Sequence, residues 1–239
     1  MIRTAIVAVF LSLYTLVVGP PLLLYTLITR NPDAIYWVGV KGVYFIARVV
    51  GMRIQVEGRE KIPAGVCLFV ANHTSFVDPV AFMWAIPRRV CVLLKKSLFS
   101  TPIVGWGFRL AGFVPVDRAN RESAIASIDV AAASMKAGNS FLAYPEGTRS
   151  YDGRLLPFKK GVFAMAIKAG ALVVPMALAG AHKIAPKGSL RIHAGLVVLR
   201  FGEAIDASEY TMKQRDDLSK RVRAAMAALL PEDQRPVDL

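Results

Sequence analysis

Val66-Cys67-Leu68-Phe69-Val70-Ala71-Asn72-His73-Thr74-Ser75-Phe76-Val77-Asp78 passes from an unbroken apolar run into a polar turn, and Val77 to Ile86 beyond it fits a helix. A short apolar run without alternation reads as a strand buried on both faces. The stretch is therefore strand, turn and helix, with its polar residues at the strand exit. The same texture recurs on both sides. Arg53, Gln55 and Glu57 alternate with Ile54 and Val56 as in a half-buried strand, while Val90 to Leu94, Phe141 to Tyr144 and Leu172 to Ala179 are continuous apolar strands. Pro102 to Ala111, Arg121 to Ala137 and Lys160 to Ala169 fit helices, several with a glycine just past the end. Ile192 to Phe201 gives one or two late strands, and Lys213 to Leu230 a closing amphipathic helix stopped by Pro231; residues from Glu232 on are expected to fray. This alternation predicts an α/β domain: a mixed, largely parallel sheet flanked by helices on both faces, with function on the loops at strand ends.

Ahead of that domain the texture is different. From Thr4 to Leu27 no side chain is charged, and a helix of roughly 24 residues extends about 36 Å, enough to cross a hydrocarbon core. Gly19-Pro20-Pro21 predicts a break or kink within it, because proline removes a donor and clashes with the preceding turn. A span and a re-entrant or interfacial insertion both fit. A cleaved signal peptide fits less well: the apolar stretch is longer than an h-region, only Arg3 supplies an n-region, and no small-x-small site follows. After Arg30-Asn31-Pro32 a second apolar segment runs from Asp33 to about Val50. Its Lys41 and Arg48 share a helix face, positioned to snorkel towards headgroups with Tyr36, Trp37, Tyr44 and Phe45 at interface depth. The other reading is a helix that packs on the domain.

The composition agrees with a globular domain carrying a membrane-embedded part. The 239 residues are 54% hydrophobic yet 20% charged, and mean hydropathy is +0.44. Thirty Lys and Arg against 17 Asp and Glu give a net charge of +13, which favours anionic partners. The basic residues are scattered, without the block expected of a nucleic-acid arm, so no nucleic-acid partner is expected. Cys67 and Cys91 lie in apolar runs with no Cys or His at ligand spacing, and read as buried free thiols. No metal site is expected.

The chemistry concentrates at strand exits. Asp78 follows His73 by five residues, so a short turn can bring the carboxylate back to the ring. A carboxylate that holds one imidazole nitrogen as N–H leaves the other free to take a proton. With a serine nucleophile nearby this makes a hydrolase; without one it activates a substrate hydroxyl. Ser75 and Thr74 also suit the capping of the following helix, and no Gly-x-Ser-x-Gly elbow occurs in the chain. Gly112-Phe113-Val114-Pro115-Val116-Asp117-Arg118 and Tyr144-Pro145-Glu146-Gly147-Thr148-Arg149-Ser150 each end a strand-like run with an arginine. Two guanidinium groups so placed suit a phosphate.

Taken together, these blocks resemble the glycerolipid acyltransferases typified by 1-acyl-sn-glycerol-3-phosphate acyltransferase. Four signatures occur in order, Asn72 to Asp78, Gly112 to Arg118, Tyr144 to Ser150 and Val173-Val174-Pro175-Met176-Ala177. Lys95-Lys96-Ser97-Leu98-Phe99, with Pro102 and Gly105, also looks like the family. Tyr144 stands where the family usually has phenylalanine. The resemblance spans roughly 57–180 and divides the chain into a membrane-associated two-helix element, 1–51, and an acyltransferase domain, 52–239.

It implies transfer of an acyl group from a thioester donor, acyl-CoA or acyl carrier protein, to the 2-hydroxyl of 1-acyl-sn-glycerol-3-phosphate, giving phosphatidic acid without a cofactor. His73 is then the general base and Asp78 its orienter. Lys95, Arg118 and Arg149 hold the acceptor phosphate, Lys95 being preferred to Lys96 because the family more often keeps the first of the pair. Glu146 and Gly147 shape the arginine loop, with Thr148 beside them in the substrate site. Membrane lipids are the expected partners, at the inner (cytoplasmic) membrane with the site facing the cytoplasm. A different acceptor (a lyso-ornithine lipid, a lysocardiolipin, glycerol-3-phosphate), a lipid hydrolase using Ser75, and a silent lipid-binding scaffold are the alternatives.

Overall fold

The computed structural model describes residues 1–117 and 119–237. Eight strands among them form one sheet: β1 (Met52–Glu57), β2 (Cys67–Ala71), β3 (Val90–Lys95), β4 (Val114–Val116), β5 (Ser140–Ala143), β6 (Leu172–Ala179), β7 (Gly195–Phe201) and β8 (Ile205–Asp206). The order is β1-β7-β6-β2-β5-β3-β4, with β8 beside β6. β6, β2, β5, β3 and β4 run parallel, while β7 and β8 pair antiparallel to β6 and β1 runs with β7. The sheet is mixed and largely parallel, as the alternating sequence predicts. The helices are α1 (Ile2–Thr29), α2 (Pro32–Val49), α3 (Asp78–Ala85), α4 (Val104–Leu110), α5 (Arg121–Lys136), α6 (Gly161–Ala169), α7 (Ala181–Ile184) and α8 (Arg215–Leu229).

β2 is the central strand, and all five of its residues are buried. Side chains alternate across a strand, so Leu68 and Val70 join Phe141, Val173 and the inner faces of α5, α6 and α8. Cys67, Phe69 and Ala71 join Val174, Met176 and Leu178 under α2, α3 and α7. Each large side chain so buried contributes about 1.5–3 kcal/mol. Cys67 and Cys91 are buried free thiols. Pro175 lies inside β6, where it has no N–H to give. The partner strand is interrupted opposite it, between β7 and β8, and Gly202 N–H donates to the Pro175 carbonyl there at 2.8 Å.

Two expectations are corrected. α1 is one helix from Ile2 to Thr29 with Pro20 and Pro21 inside it, not a broken segment. The helix packs on α2 and α4 along its length, with Ile103 against Gly19 beside the prolines and Thr26 buried beyond them. Thr4 Oγ1 donates to the Leu190 carbonyl at 2.6 Å, and Tyr14 Oη to the Val38 carbonyl at 2.9 Å. The Tyr14 ring fits against Gly42 of α2, where a Cβ would stand 2.5 Å from a ring carbon. The tail, expected to fray from Glu232, is docked as far as Pro236: Gln234 is buried, with its carbonyl accepting from Leu155 N–H and its side chain from Gly180 N–H.

α1 is long and apolar enough to cross a membrane, with mean hydropathy 2.1. Its outer face leaves Val9, Leu13, Leu16, Val17, Leu24 and Ile28 exposed. The aromatics of α2 do not share one role. Tyr36 enters the core, Tyr44 stacks on Trp84 of α3, and Phe45 points outward beside Phe10.

Candidate active site

Because β2, β5, β3 and β4 are parallel, the turns that follow them leave from one edge of the sheet. β2 ends at Ala71, and the Asn72 side chain prolongs its pairing. Nδ2 donates to the Leu178 carbonyl at 3.0 Å, and Oδ1 accepts from Leu178 N–H at 2.8 Å. The chain then turns out of the sheet with His73 at the exit.

The turn closes around Asp78, the first residue of α3 and fully buried. Asp78 Oδ2 lies 2.9 Å from His73 Nδ1 and accepts from the N–H of Thr74 at 2.6 Å and of Ser75 at 2.8 Å. An acceptor-only carboxylate facing Nδ1 requires a proton on that nitrogen, which leaves Nε2 as the basic atom. The His73 side chain is partly exposed, whereas Asp78 is not. Val77 occupies the helix cap without a side-chain hydrogen bond; Thr74 and Ser75 do not cap α3. Ser75 Oγ is buried and donates to the Ala185 carbonyl at 2.8 Å. Its hydroxyl is thus turned to Ala185 and not to His73.

The turn after β5 abuts the histidine. Glu146, buried at 4% exposure, accepts from His73 N–H at 2.8 Å and Leu156 N–H at 3.2 Å. Burial pushes its carboxyl up to about 8, outweighing those hydrogen bonds. Ser150 N–H donates to the His73 carbonyl at 2.8 Å, so the two turns are stitched on both sides of the histidine backbone. Gly147 sits at φ +70° with the Lys159 side chain against it, a position that suits glycine. The Arg149 guanidinium lies 3.6 Å above the Phe76 ring centre. The Tyr144 ring stacks on the imidazole at 4.3 Å and 23°, and its hydroxyl is buried without a partner.

His73, Asp78, Glu146, Gly147, Thr148 and Arg149 thus come together. Lys95 ends β3 and is exposed. It stands on the same edge but two strands from β2, a lateral distance of about 10 Å at ordinary spacing, and makes no hydrogen bond to the His73 turn. Arg118 lies outside the described residues. The Val173 to Ala177 block is buried inside β6 and serves packing. Asn72 as a pin, Tyr144 as a stacking partner and Lys187 beside Arg149 did not emerge from the sequence. For Tyr144 the available signal was its departure from phenylalanine.

An apolar groove of about 240 Å³ opens next to the turn. α1, α2, the start of α3 and the segment from Ile184 to Ile192 form its walls, and Phe76 and Val77 stand at its edge.

The family model described as Acyltransferase matches residues 53–179, from β1 through the end of β6. The chain belongs to the acyltransferase family. A 1-acyl-sn-glycerol-3-phosphate acyltransferase of Cocos nucifera is 34% identical over 190 residues, 79% of this chain and 61% of that protein. One from Limnanthes douglasii is 32% identical, over 79% of this chain and 67% of that protein. The chain thus matches about two thirds of the length of these acyltransferases, or less. The crystal structure of the 1-acyl-sn-glycerophosphate (LPA) acyltransferase PlsC from Thermotoga maritima superposes with a TM-score of 0.76 at 26% identity, covering 95% of this chain and 93% of that one.

Proposed function

We propose that this acyltransferase moves a fatty acyl group from a thioester to the 2-hydroxyl of 1-acyl-sn-glycerol-3-phosphate, forming phosphatidic acid. The observation that carries the reading is the His73–Asp78 pair at 2.9 Å, with Ser75 Oγ turned to Ala185 and no serine hydroxyl among the described residues hydrogen-bonded to the ring. His73 Nε2 takes the proton of the acceptor hydroxyl as its oxygen attacks the thioester carbonyl. The tetrahedral intermediate expels the thiolate, which receives that proton from the imidazolium. Asp78 stabilises the imidazolium meanwhile. Glu146 and Gly147 fix the turn that carries Thr148 and Arg149, and Arg149 meets the acceptor phosphate. Lys95, at the exit of β3 on the same edge of the sheet, is a further candidate for that phosphate; Arg118, the other cation proposed for it, lies outside the described residues.

The apolar groove beside Phe76 suits an acyl chain, and the exposed apolar face of α1 suits lipid. Residues 1–51 act as the membrane element and 52–239 as the catalytic domain, at the inner membrane with the site facing the cytoplasm. Acyl-CoA or acyl carrier protein is the donor. Purified protein given a radiolabelled acyl thioester and 1-acyl-sn-glycerol-3-phosphate should form labelled phosphatidic acid with no labelled protein intermediate; a burst of labelled enzyme would instead support a covalent hydrolase.

A further inference from the structure

Lys187 lies between α7 and β7, and its Nζ donates to the Arg149 carbonyl at 2.7 Å and to Thr148 Oγ1 at 3.3 Å. It also sits 4.0 Å above the Tyr151 ring centre. Nearby, Arg149 Nη1 is buried without a hydrogen-bond partner. Among the described residues neither cation is paired with a carboxylate, whereas Lys61, Arg89, Lys160, Lys168 and Arg200 all are. Two cations anchored to one turn without a counter-charge repel each other. A dianion between them removes that repulsion and gives the guanidinium its missing acceptor.

We propose that Lys187 and Arg149 together seat a phosphate monoester dianion, and that Lys187 sets the preference for a monoester acceptor over a phosphodiester headgroup. The proposal rests on the reading of Arg149 as an acceptor-phosphate residue. A phosphomonoester carries a charge of about −1.5 to −2 at pH 7, its second proton leaving near pH 6. A phosphodiester carries a single charge throughout that range. One guanidinium neutralises the first charge, and the ammonium of Lys187 answers the second.

The position agrees with the chemistry. The Arg149–Ser150 peptide touches the His73 backbone through the Ser150 N–H, and in a glycerol 3-phosphate the phosphate hangs on the carbon next to the reacting one. The segment that carries Lys187 also supplies Ala185 and Ser189 to the wall of the apolar groove. A lipid with its chain in the groove therefore brings its headgroup out beside this pair.

Coenzyme A also bears a phosphomonoester, so the test separates the two sources. Initial rates are measured for wild type, Lys187→Met, Lys187→Arg and Arg149→Lys. The acceptors are 1-acyl-sn-glycerol-3-phosphate and 1-acyl-sn-glycero-3-phosphoglycerol, and the donors acyl-CoA and acyl-3′-dephospho-CoA, from pH 5.5 to 7.5. Lys187→Met should raise KM for the monoester by about ten- to hundredfold, the range for a hydrogen bond to a charged group, with kcat changed by less than about threefold. The preference for monoester over diester should fall by the same factor, and Lys187→Arg should restore most of it. In wild type the monoester KM should drop as pH rises through about 6, and this drop should vanish in Lys187→Met.

If Arg149→Lys leaves the monoester KM unchanged, the phosphate reading of Arg149 itself is lost. The seat alone is overturned if Arg149→Lys raises that KM and Lys187→Met does not. It is equally overturned if Lys187→Met weakens both acceptors alike, or weakens acyl-CoA but not its dephospho analogue.

Discussion

Replacing Asp78 by asparagine separates what this residue does for catalysis from what it does for the fold. The carboxylate is fully buried and its Oδ2 receives three groups, the imidazole Nδ1 and the N–H of Thr74 and Ser75. The asparagine oxygen still accepts from the two backbone N–H groups, so the turn closes. Each of those hydrogen bonds passes from charge-assisted to neutral, a loss of about 1 kcal/mol apiece. The asparagine oxygen stands where Oδ2 stood, so it also keeps the Nδ1 proton, and the amide NH₂ turns towards Thr74 Oγ1. What is lost is the negative charge that stabilises the imidazolium formed when Nε2 takes a proton.

The expected result is a kcat lower by about 10–10²-fold, KM for both substrates within about threefold, and a stability loss of about 1–3 kcal/mol. Continuous detection of the released thiol gives the kinetics, and denaturation in detergent gives the stability. Asp78→Ala, which leaves two buried N–H groups without an acceptor, should lose about 2–6 kcal/mol. Asp78→Asn protein that stays folded and keeps the wild-type kcat refutes the role of the carboxylate charge.

Glu146 predicts a pH dependence of stability. Its carboxyl is raised from 4.5 to about 8 in the fold, so between those pH values the unfolded chain has released the proton and the folded chain still holds it. Stability should therefore fall as pH rises from about 4.5 to 8, by an amount on the order of 4–5 kcal/mol from this group. Glu146→Gln should flatten that slope in denaturant titrations; an unchanged slope assigns it elsewhere. Tyr144→Phe keeps the ring on His73 and removes a buried unpartnered hydroxyl, so it should gain about 1 kcal/mol in thermal unfolding and keep kcat. Tyr144→Ala should lower kcat by tenfold or more; if it does not, the stacking does nothing for the base. On the outer face of α1, Leu13→Lys with Leu16→Lys should weaken sedimentation with vesicles, and wild-type partitioning there would place the membrane contact on another surface.

The strand, turn and helix around His73 were legible because their causes are local. The apolar run of β2 and the five-residue step from His73 to Asp78 carry the geometry within themselves. The continuity of α1 was not legible, since Pro20 and Pro21 argue for a break and the elements it packs on, α2 and α4, lie elsewhere in the chain. Ser75 illustrates the same limit. Its motif position suited either a cap or a nucleophile, and the Ala185 carbonyl that takes its hydroxyl instead lies 110 residues away. Asn72 is pinned by Leu178, 106 residues on, and Lys187 reaches Arg149 from a segment with no motif of its own. Tertiary closure brought these residues to the site.

The most direct test of the central claim is single-turnover acyl transfer to 1-acyl-sn-glycerol-3-phosphate by wild type and His73→Ala in the same detergent. With His73 as the base, wild type should convert bound thioester to phosphatidic acid and His73→Ala should be slower by about 10³-fold or more, with acceptor affinity retained. Transfer by folded His73→Ala at the wild-type rate would contradict it.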